Sequence, residues 1–499
     1  MAELNGPSPP GDYPVVVVGS GPGGVQLAYW LERLGINHAL ISRDERVGGM
    51  FQSFPIFQRL ISWSKPYSPS QRGTSAYQRF DLNSLIADER EHQALVPEGM
   101  DGSSYFPARA EMEAGIVTFA ERTGVAVRFG CEWQATARDD DGFVLTTSDG
   151  EYRCRIVVFA VGMAAPWKPS ISGIEYVPHY VETQEPKSYA GRSVFIIGKR
   201  NSAFEVADGL LPWARRIVLA SPRPTHLSIL TQSAGATRAR YVQPYEDHVL
   251  GGGNLVVDGT IERVERTSTG YRVYTKGTTQ PGDAVYDADE VIAATGFEVP
   301  MKDLPKLGVA TFYQGRLPAQ SPYWESASVP GIYFAGTITQ GSIGLKKYGI
   351  ASSSGGVQGF RHNARVLARH IAERHFGFKF DPILIDGEKL PDLLMNEATF
   401  SPELWNQKAY LARVVALTDA GYVDLGVEPL AHFLDTDGVP AVAVTVETDT
   451  SGDIHPAIYV RRNGEIQEHL LSSSPTHDYR TAECRSQITS LTEALKSRR

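Results

Sequence analysis

The sequence predicts an α/β protein with two parallel-sheet units and a smaller α+β module at the end, and three observations carry this. A β-branched run near the start passes straight into a glycine turn and an apolar-periodic helix. The same strand, turn, helix and strand order returns from residue 193. Beyond about residue 395 the pattern changes to strands joined by hairpin turns.

Taken in order, the first 13 residues are polar, rich in Pro and Gly, and read as a loose tail. Residues 14–18 (PVVVV) read as a buried strand, GSGPGG follows at once, and residues 25–34 show helical spacing before Gly35 supplies a stop. Residues 37–42 return as strand, which completes a βαβ unit. In the second unit SVFII (193–197) is the strand, GKRNSA the turn, FEVADGLL the helix and RIVLAS (216–221) the next strand. This is an imperfect repeat of a whole βαβ unit. Residues 125–160 alternate in strand fashion around a DDDG turn, and 271–276 and 290–297 are further strands. GIYFAGT (331–337) is a strand ending in glycine. The helix after it places Val357, Phe360, Ala364, Leu367 and Ile371 on one face and ends at Gly377. A helix is expected around 404–417, then strands in AVAVTVETD and IYVRRNGEIQEHLL, the latter turned at Asn463-Gly464. The expected division is a tail over 1–13, a first nucleotide domain over 14–165 and 325–394, a second over 166–324, and a C-terminal module over 395–499.

Composition narrows the function. With 48 Lys and Arg against 57 Asp and Glu the net charge is −9, which disfavours nucleic acid as the partner. The three cysteines, Cys131, Cys154 and Cys484, form no C-x-x-C pair, which weakens a thiol–disulfide mechanism. His362, His370 and His375 share a helix but not a face, so no metal is expected. The start lacks a signal-peptide core, and the longest apolar run falls short of the ~18 residues of a membrane span. No membrane contact and a cytoplasmic location are the expectation; a homo-oligomer is compatible with it.

The first turn reads Gly19-x-Gly21-x-x-Gly24, with Ser20 and Gly23 between. Framed by strand and helix, it is a Rossmann-like cradle in which glycine lets the backbone approach a pyrophosphate and the helix offers free N–H groups. Where a ribose-binding acid is expected, the chain has Ser42-Arg43, and Gly48-Gly49 with Met50 lies just beyond. The second turn, Gly198-Lys199-Arg200-Asn201-Ser202-Ala203, carries arginine in place of the middle glycine. Arg200 either obstructs a pyrophosphate or clamps it as a cation. After the next strand Ser221 and Arg223 stand with no acid, which fits a ribose 2′-phosphate and so NADPH over NADH.

Two such units, joined by Gly162, by Ala294-Thr295-Gly296-Phe297 and by Phe334-Ala335-Gly336-Thr337, resemble the two-dinucleotide-binding-domain flavoproteins. Within them they resemble the class B flavin-dependent monooxygenases, including amine N-hydroxylases. A nearer similarity is to the family of the ER flavoprotein associated with degradation. It is carried by Leu60-Ile61-Ser62 with Lys65, Asp81 with Asn83-Ser84-Leu85, NSAFE from Asn201, and Gly359-Phe360-Arg361. The likeness spans about residues 14–420. It implies FAD on the first unit, touching Gly19, Gly21, Gly24, Gly49, Met50, Gly336 and Thr337, and NADPH on the second. It further implies oxygenation of a small molecule at nitrogen or carbon by molecular oxygen, through a flavin hydroperoxide. Ser62 stands roughly where such monooxygenases carry an active-site asparagine. Ser62, Lys65 and Arg240, the last for a substrate carboxylate, are the candidate catalytic residues. The N-terminus of the helix near Gly355-Gly356, or Lys346-Lys347, are candidates to stabilise a reduced flavin. A reductase or oxidase serving a protein or quinone, and a flavin-stabilised interaction protein, stay open as alternatives.

Overall fold

The protein is described by a computed structural model over residues 7–228, 236–242, 253–342, 352–449 and 451–496. It divides into two compact units, one of Met1–Met50, Ser62–Gly162 and Met301–Arg499, the other of Phe51–Ile61 and Met163–Pro300.

The first unit is built on a four-stranded parallel sheet in the order Ile332–Phe334, Ile156–Phe159, Val15–Val18, His38–Ile41. All four valines of Val15–Val18 are buried, as a central parallel strand covered on both faces requires. The helices Pro22–Arg33 and Val357–Phe376 pack against each other and are buried along most of their length. A smaller sheet runs Gly11–Asp12, Glu151–Cys154, Phe143–Thr147, Trp133–Arg138. Within the stretch read as a loose tail, Gly11–Asp12 thus pairs with Tyr152 and Arg153, and the Tyr13 ring stacks on Tyr152 at 6.0 Å.

The C-terminal residues add a six-stranded antiparallel sheet in the order Ile383–Ile385, Gly421–Pro429, Leu411–Thr418, Ala441–Thr448, Ile454–Arg462, Glu465–Leu470. Asn463 and Gly464, both at positive φ, make its expected hairpin turn. The helix expected around 404–417 is a correction. Short helices end at Asn406, and Leu411–Thr418 is a strand near the sheet centre. Its Val414-Val415 pair suits a strand buried on both faces, and between two strands the apolar run satisfied either period.

The second unit has six strands in the order Asp283–Ala288, Tyr271–Gly277, Asn254–Arg266, Arg216–Ser221, Ser193–Ile197, Glu290–Ala293. The last four run parallel, and the first two close one edge antiparallel. Helix Asn201–Leu210 packs on it through Ala203, Phe204, Val206 and Leu210, and Phe54, Ile56, Phe57 and Ile61 join the same core. Among the described residues no helix is long and apolar enough to cross a membrane.

Candidate functional site

In the first unit three loops meet with their backbones in contact. A Cβ on Gly24 would stand 1.9 Å from the Gly19 carbonyl oxygen, one on Gly23 2.2 Å from the Gly336 Cα, and one on Gly49 2.8 Å from the Gly21 Cα. Packing alone therefore demands glycine at these places. Gly21 is different. Its φ is −66°, and a Cβ there would meet nothing nearer than 3.8 Å. Nothing within the protein needs glycine at 21, where a Cβ would make only an ordinary contact with Gly49. The helix behind it has no side-chain cap and no acid in its first turn. This cradle suits the pyrophosphate of FAD.

Around the cradle, the Ser20 hydroxyl donates to Ser42 Oγ at 2.8 Å in the interior, and Ser42 Oγ also accepts the Asp44 N–H at 3.2 Å. The Gly48 N–H donates to the Ser20 carbonyl at 3.1 Å. Arg43 is exposed and 3.8 Å from Asp44. Met50 lies in the turn Gly49–Gln52. Gly162 stands at φ +70° in open space. Gly336 and Thr337 open the turn Gly336–Gly341. Beneath it lies a buried polar network that the sequence did not announce. Thr339 Oγ1 donates to the Gly336 carbonyl at 2.7 Å, Asn363 Nδ2 reaches Thr339 and Ser354, and Gln407 Nε2 reaches Ser354 at 2.9 Å. Lys346 and Lys347 lie outside the described residues.

Part of the strings that carried the family resemblance, Asp81 with Asn83-Ser84 and Gly359-Phe360-Arg361, meets in this unit around one arginine. Arg361 is fully buried and donates to the carbonyls of Ser84 at 2.7 Å and Gln78 at 2.8 Å. Burial lowers its pKa to about 10, and Asp81 works against that. The Asp81 carboxylate accepts the Ser64 hydroxyl and the N–H groups of Asn83 and Ser84 at 3.1 and 3.2 Å. Ser62, half-buried, donates to Asn83, whereas the Lys65 side chain is exposed. Burial, with Arg361 and Arg365 nearby, pushes His362 well below the usual imidazole range, so it is neutral.

The second unit repeats the cradle with changes. A Cβ on Gly198 would stand 2.4 Å from the Ala294 carbonyl oxygen, and Ala203 fills the third glycine's place with its Cβ 3.5 Å away. The Lys199 side chain is turned inward to Asp258, so what it offers a nucleotide is backbone. Arg200, the N-cap residue of the helix, is exposed. The Asn201 side chain ties down the next segment, donating to the Ala236 carbonyl and accepting the Arg238 N–H at 3.1 and 3.0 Å. Ser202 sits half-buried in the first helical turn. At the strand end Ser221 is half-buried and Arg223 exposed. The Gly296 carbonyl accepts from His179 Nε2 at 2.9 Å and from the Trp167 N–H at 3.1 Å. Arg240 falls in the helix Ala239–Val242, and its side chain lies outside the described residues.

Glu205, inside the NSAFE string, has a role the sequence hid. Its buried carboxylate accepts the Phe57 N–H at 2.8 Å and the Tyr180 hydroxyl, and that hydroxyl accepts the Ile56 N–H at 3.2 Å. This clamp holds Phe51–Ile61 in the unit beside a cavity of about 330 Å³ lined by Phe57, Arg59, Glu205 and Tyr241. The only signal was a glutamate on the apolar face of a helix. All three cysteines are free and buried, and burial raises Cys131 and pushes Cys154 up to about 12.

Two glycine-turn cradles, each at the carboxyl edge of a parallel sheet, define a two-nucleotide oxidoreductase. The chain belongs to the pyridine nucleotide-disulphide oxidoreductase family, whose model matches residues 16–336. It is 25% identical over 436 residues to the mouse (Mus musculus) FAD-dependent oxidoreductase domain-containing protein 2, covering 81% of this chain and 64% of that one. The chain thus spans under two thirds of that relative's length. Over 277 residues it is 30% identical to the ferredoxin–NADP reductase of Granulibacter bethesdensis, covering 51% and 68%. The FAD-bound cadaverine monooxygenase DfoA of Erwinia amylovora shares the fold, with a TM-score of 0.57, 16% identity, and coverage of 75% of this chain and all of that one.

Proposed function

We propose that this flavoprotein is an NADPH-dependent monooxygenase that oxygenates a small molecule at nitrogen or carbon. The observation that carries the reading is the union of two nucleotide cradles with cysteines that cannot exchange disulfides. Cys154 is held protonated by burial, and no pair is spaced for a dithiol. Electrons entering the protein therefore leave by a route other than its thiols. FAD, when bound, supplies a store for two electrons and reactivity toward oxygen. The chain's own part is to hold it. Gly19–Gly24 receives the pyrophosphate, Gly49-Met50 and Gly336-Thr337 flank it, and the buried Thr339–Asn363–Gln407 network keeps the Gly336 turn in place. In the second unit Gly198, Lys199 and Ser202 present backbone to NADPH, Arg200 clamps its pyrophosphate, and Arg223 meets the 2′-phosphate. Ser62, Lys65 and Arg240 are assigned to substrate.

The fold shared with a cadaverine monooxygenase supports oxygenation, and the test is oxygen uptake with NADPH, alone and with a panel of primary amines, amino acids and ketones. Uptake stimulated by one substrate class, with matching product, bears the reading out. A second reading, a reductase serving a protein acceptor, draws on the 30% identity to a ferredoxin–NADP reductase. Rapid NADPH oxidation with ferredoxin, and none with oxygen and the panel, selects it instead.

A further inference from the structure

An acid stands at the nucleotide edge of the second unit, supplied by a strand other than the one the motif predicts. Ser221, the last residue of its strand, pairs in parallel register with Asp258 of Asn254–Arg266. Asp258 therefore lies at the same carboxyl edge as the glycine turn, where such sheets bind nucleotides. The Gly198 N–H donates to the Ala220 carbonyl at 2.8 Å, which sets the turn against that edge as well. From the turn the Lys199 side chain, 1% exposed, runs to the Asp258 carboxylate, which is 26% exposed. Thr279 Oγ1 donates to the other carboxylate oxygen at 2.8 Å. The Thr278 N–H donates to the Asp258 carbonyl at 3.0 Å, and its hydroxyl to the Pro222 carbonyl at 2.6 Å. Residues 221–223, 258 and 278–279 thus form one hydrogen-bonded rim, with Arg223 exposed upon it. Burial opposes ionisation of Asp258, but hydrogen bonds from Lys199 and Thr279 outweigh it and hold the carboxyl below its usual range.

We infer that Lys199 and Asp258 together set the choice between a ribose 2′-phosphate and a 2′-hydroxyl, a buried ammonium masking a rim carboxylate so that a 2′-phosphate is accepted beside Arg223. The inference rests on the assignment of NADPH to this unit. A bare carboxylate at the rim repels a phosphate dianion and accepts a hydrogen bond from a 2′-hydroxyl. Paired with Lys199 its charge is offset, the repulsion is removed, and Arg223 decides.

The test is equilibrium binding of adenosine 2′,5′-bisphosphate and of 5′-AMP to the full chain by calorimetry. Lys199→Met lowers the affinity ratio of bisphosphate to 5′-AMP by about tenfold or more, the size of one charged contact. Asp258→Asn, which leaves the ammonium unpaired, raises the ratio, and the double variant returns close to wild type. An unchanged ratio in both single variants, or equal weakening of both ligands, overturns the inference. If Arg223→Ala shifts the ratio while Lys199→Met and Asp258→Asn do not, only the inference fails. If the wild-type chain binds neither fragment, the NADPH assignment fails and the inference with it.

Discussion

Gly21→Ala and Gly24→Ala look equivalent in the glycine motif, and the structure makes them opposites. Ordinary contact begins at 3.4 Å, so a Cβ on Gly24, 1.9 Å from the Gly19 carbonyl oxygen, forces the helix start back by 3.4 − 1.9 = 1.5 Å. The opposing atom is backbone and has no rotamer to take up. Overpacking of that kind costs about 1–3 kcal/mol or more. Gly24→Ala is therefore destabilised even without flavin. At Gly21 the backbone, φ −66° and ψ 173°, is open to alanine, and the nearest atom is 3.8 Å from the new Cβ. The smaller entropy of the unfolded chain favours alanine by roughly 0.4–1 kcal/mol, and loss of an N-cap glycine offsets much of it. The flavin-free Gly21→Ala protein should thus melt within ~1 kcal/mol of wild type. Its methyl group would face the pyrophosphate and displace a charge-assisted N–H contact worth about 1.5–3 kcal/mol, a ten- to hundredfold loss of FAD affinity. The assay is thermal melting of flavin-stripped protein by circular dichroism, with FAD titration followed by flavin fluorescence. Gly21→Ala binding FAD as tightly as wild type, or Gly24→Ala melting as wild type, would refute the reasoning.

Arg223→Ala should weaken NADPH binding by about ten- to hundredfold and leave NADH nearly unchanged, and equal losses for both would reject a 2′-phosphate role. Arg361→Met strands the buried Ser84 carbonyl and the half-buried Gln78 carbonyl, so a loss of about 2–4 kcal/mol is expected, with faster amide hydrogen exchange across residues 78–84. Glu428 gives a pH signature: burial raises its pKa from 4.5 to about 7, with Arg461 opposing. The folded state then holds the proton more tightly than the unfolded chain. Its contribution to stability is whole below pH 4.5 and is lost as pH climbs to about 7. Glu428→Gln should match wild type near pH 4 and exceed it by about 3 kcal/mol near pH 8 in denaturant titrations. A difference that does not grow with pH would contradict the shift.

What the sequence made legible was local. The strands at 193–197 and 216–221 fall where their apolar runs place them, because a β-branched run bounded by glycine or a charged turn has few alternatives. Gly24 was legible for the same reason: the motif encodes its contact with Gly19, a neighbour in sequence. The approach of Gly23 to Gly336 joins residues more than 300 positions apart, and no local pattern records it. Glu205 and Asp258 were missed on similar grounds. Glu205 meets Phe57 across 148 positions, and Asp258 reaches the nucleotide edge by strand register. The helix expected around 404–417 failed because a short, fully buried apolar run satisfies either period, and only its partners in the sheet decide.

The most direct test of the proposed oxygenation is isotopic. The purified flavoprotein is turned over with NADPH and a panel of amines, amino acids and ketones under ¹⁸O₂, and the products are read by mass spectrometry. The account predicts NADPH consumption matched by a product carrying one ¹⁸O atom, lost when Gly21→Asp removes the flavin. NADPH consumption that yields only hydrogen peroxide, or proceeds only with an added electron acceptor, and leaves every substrate free of ¹⁸O would contradict it.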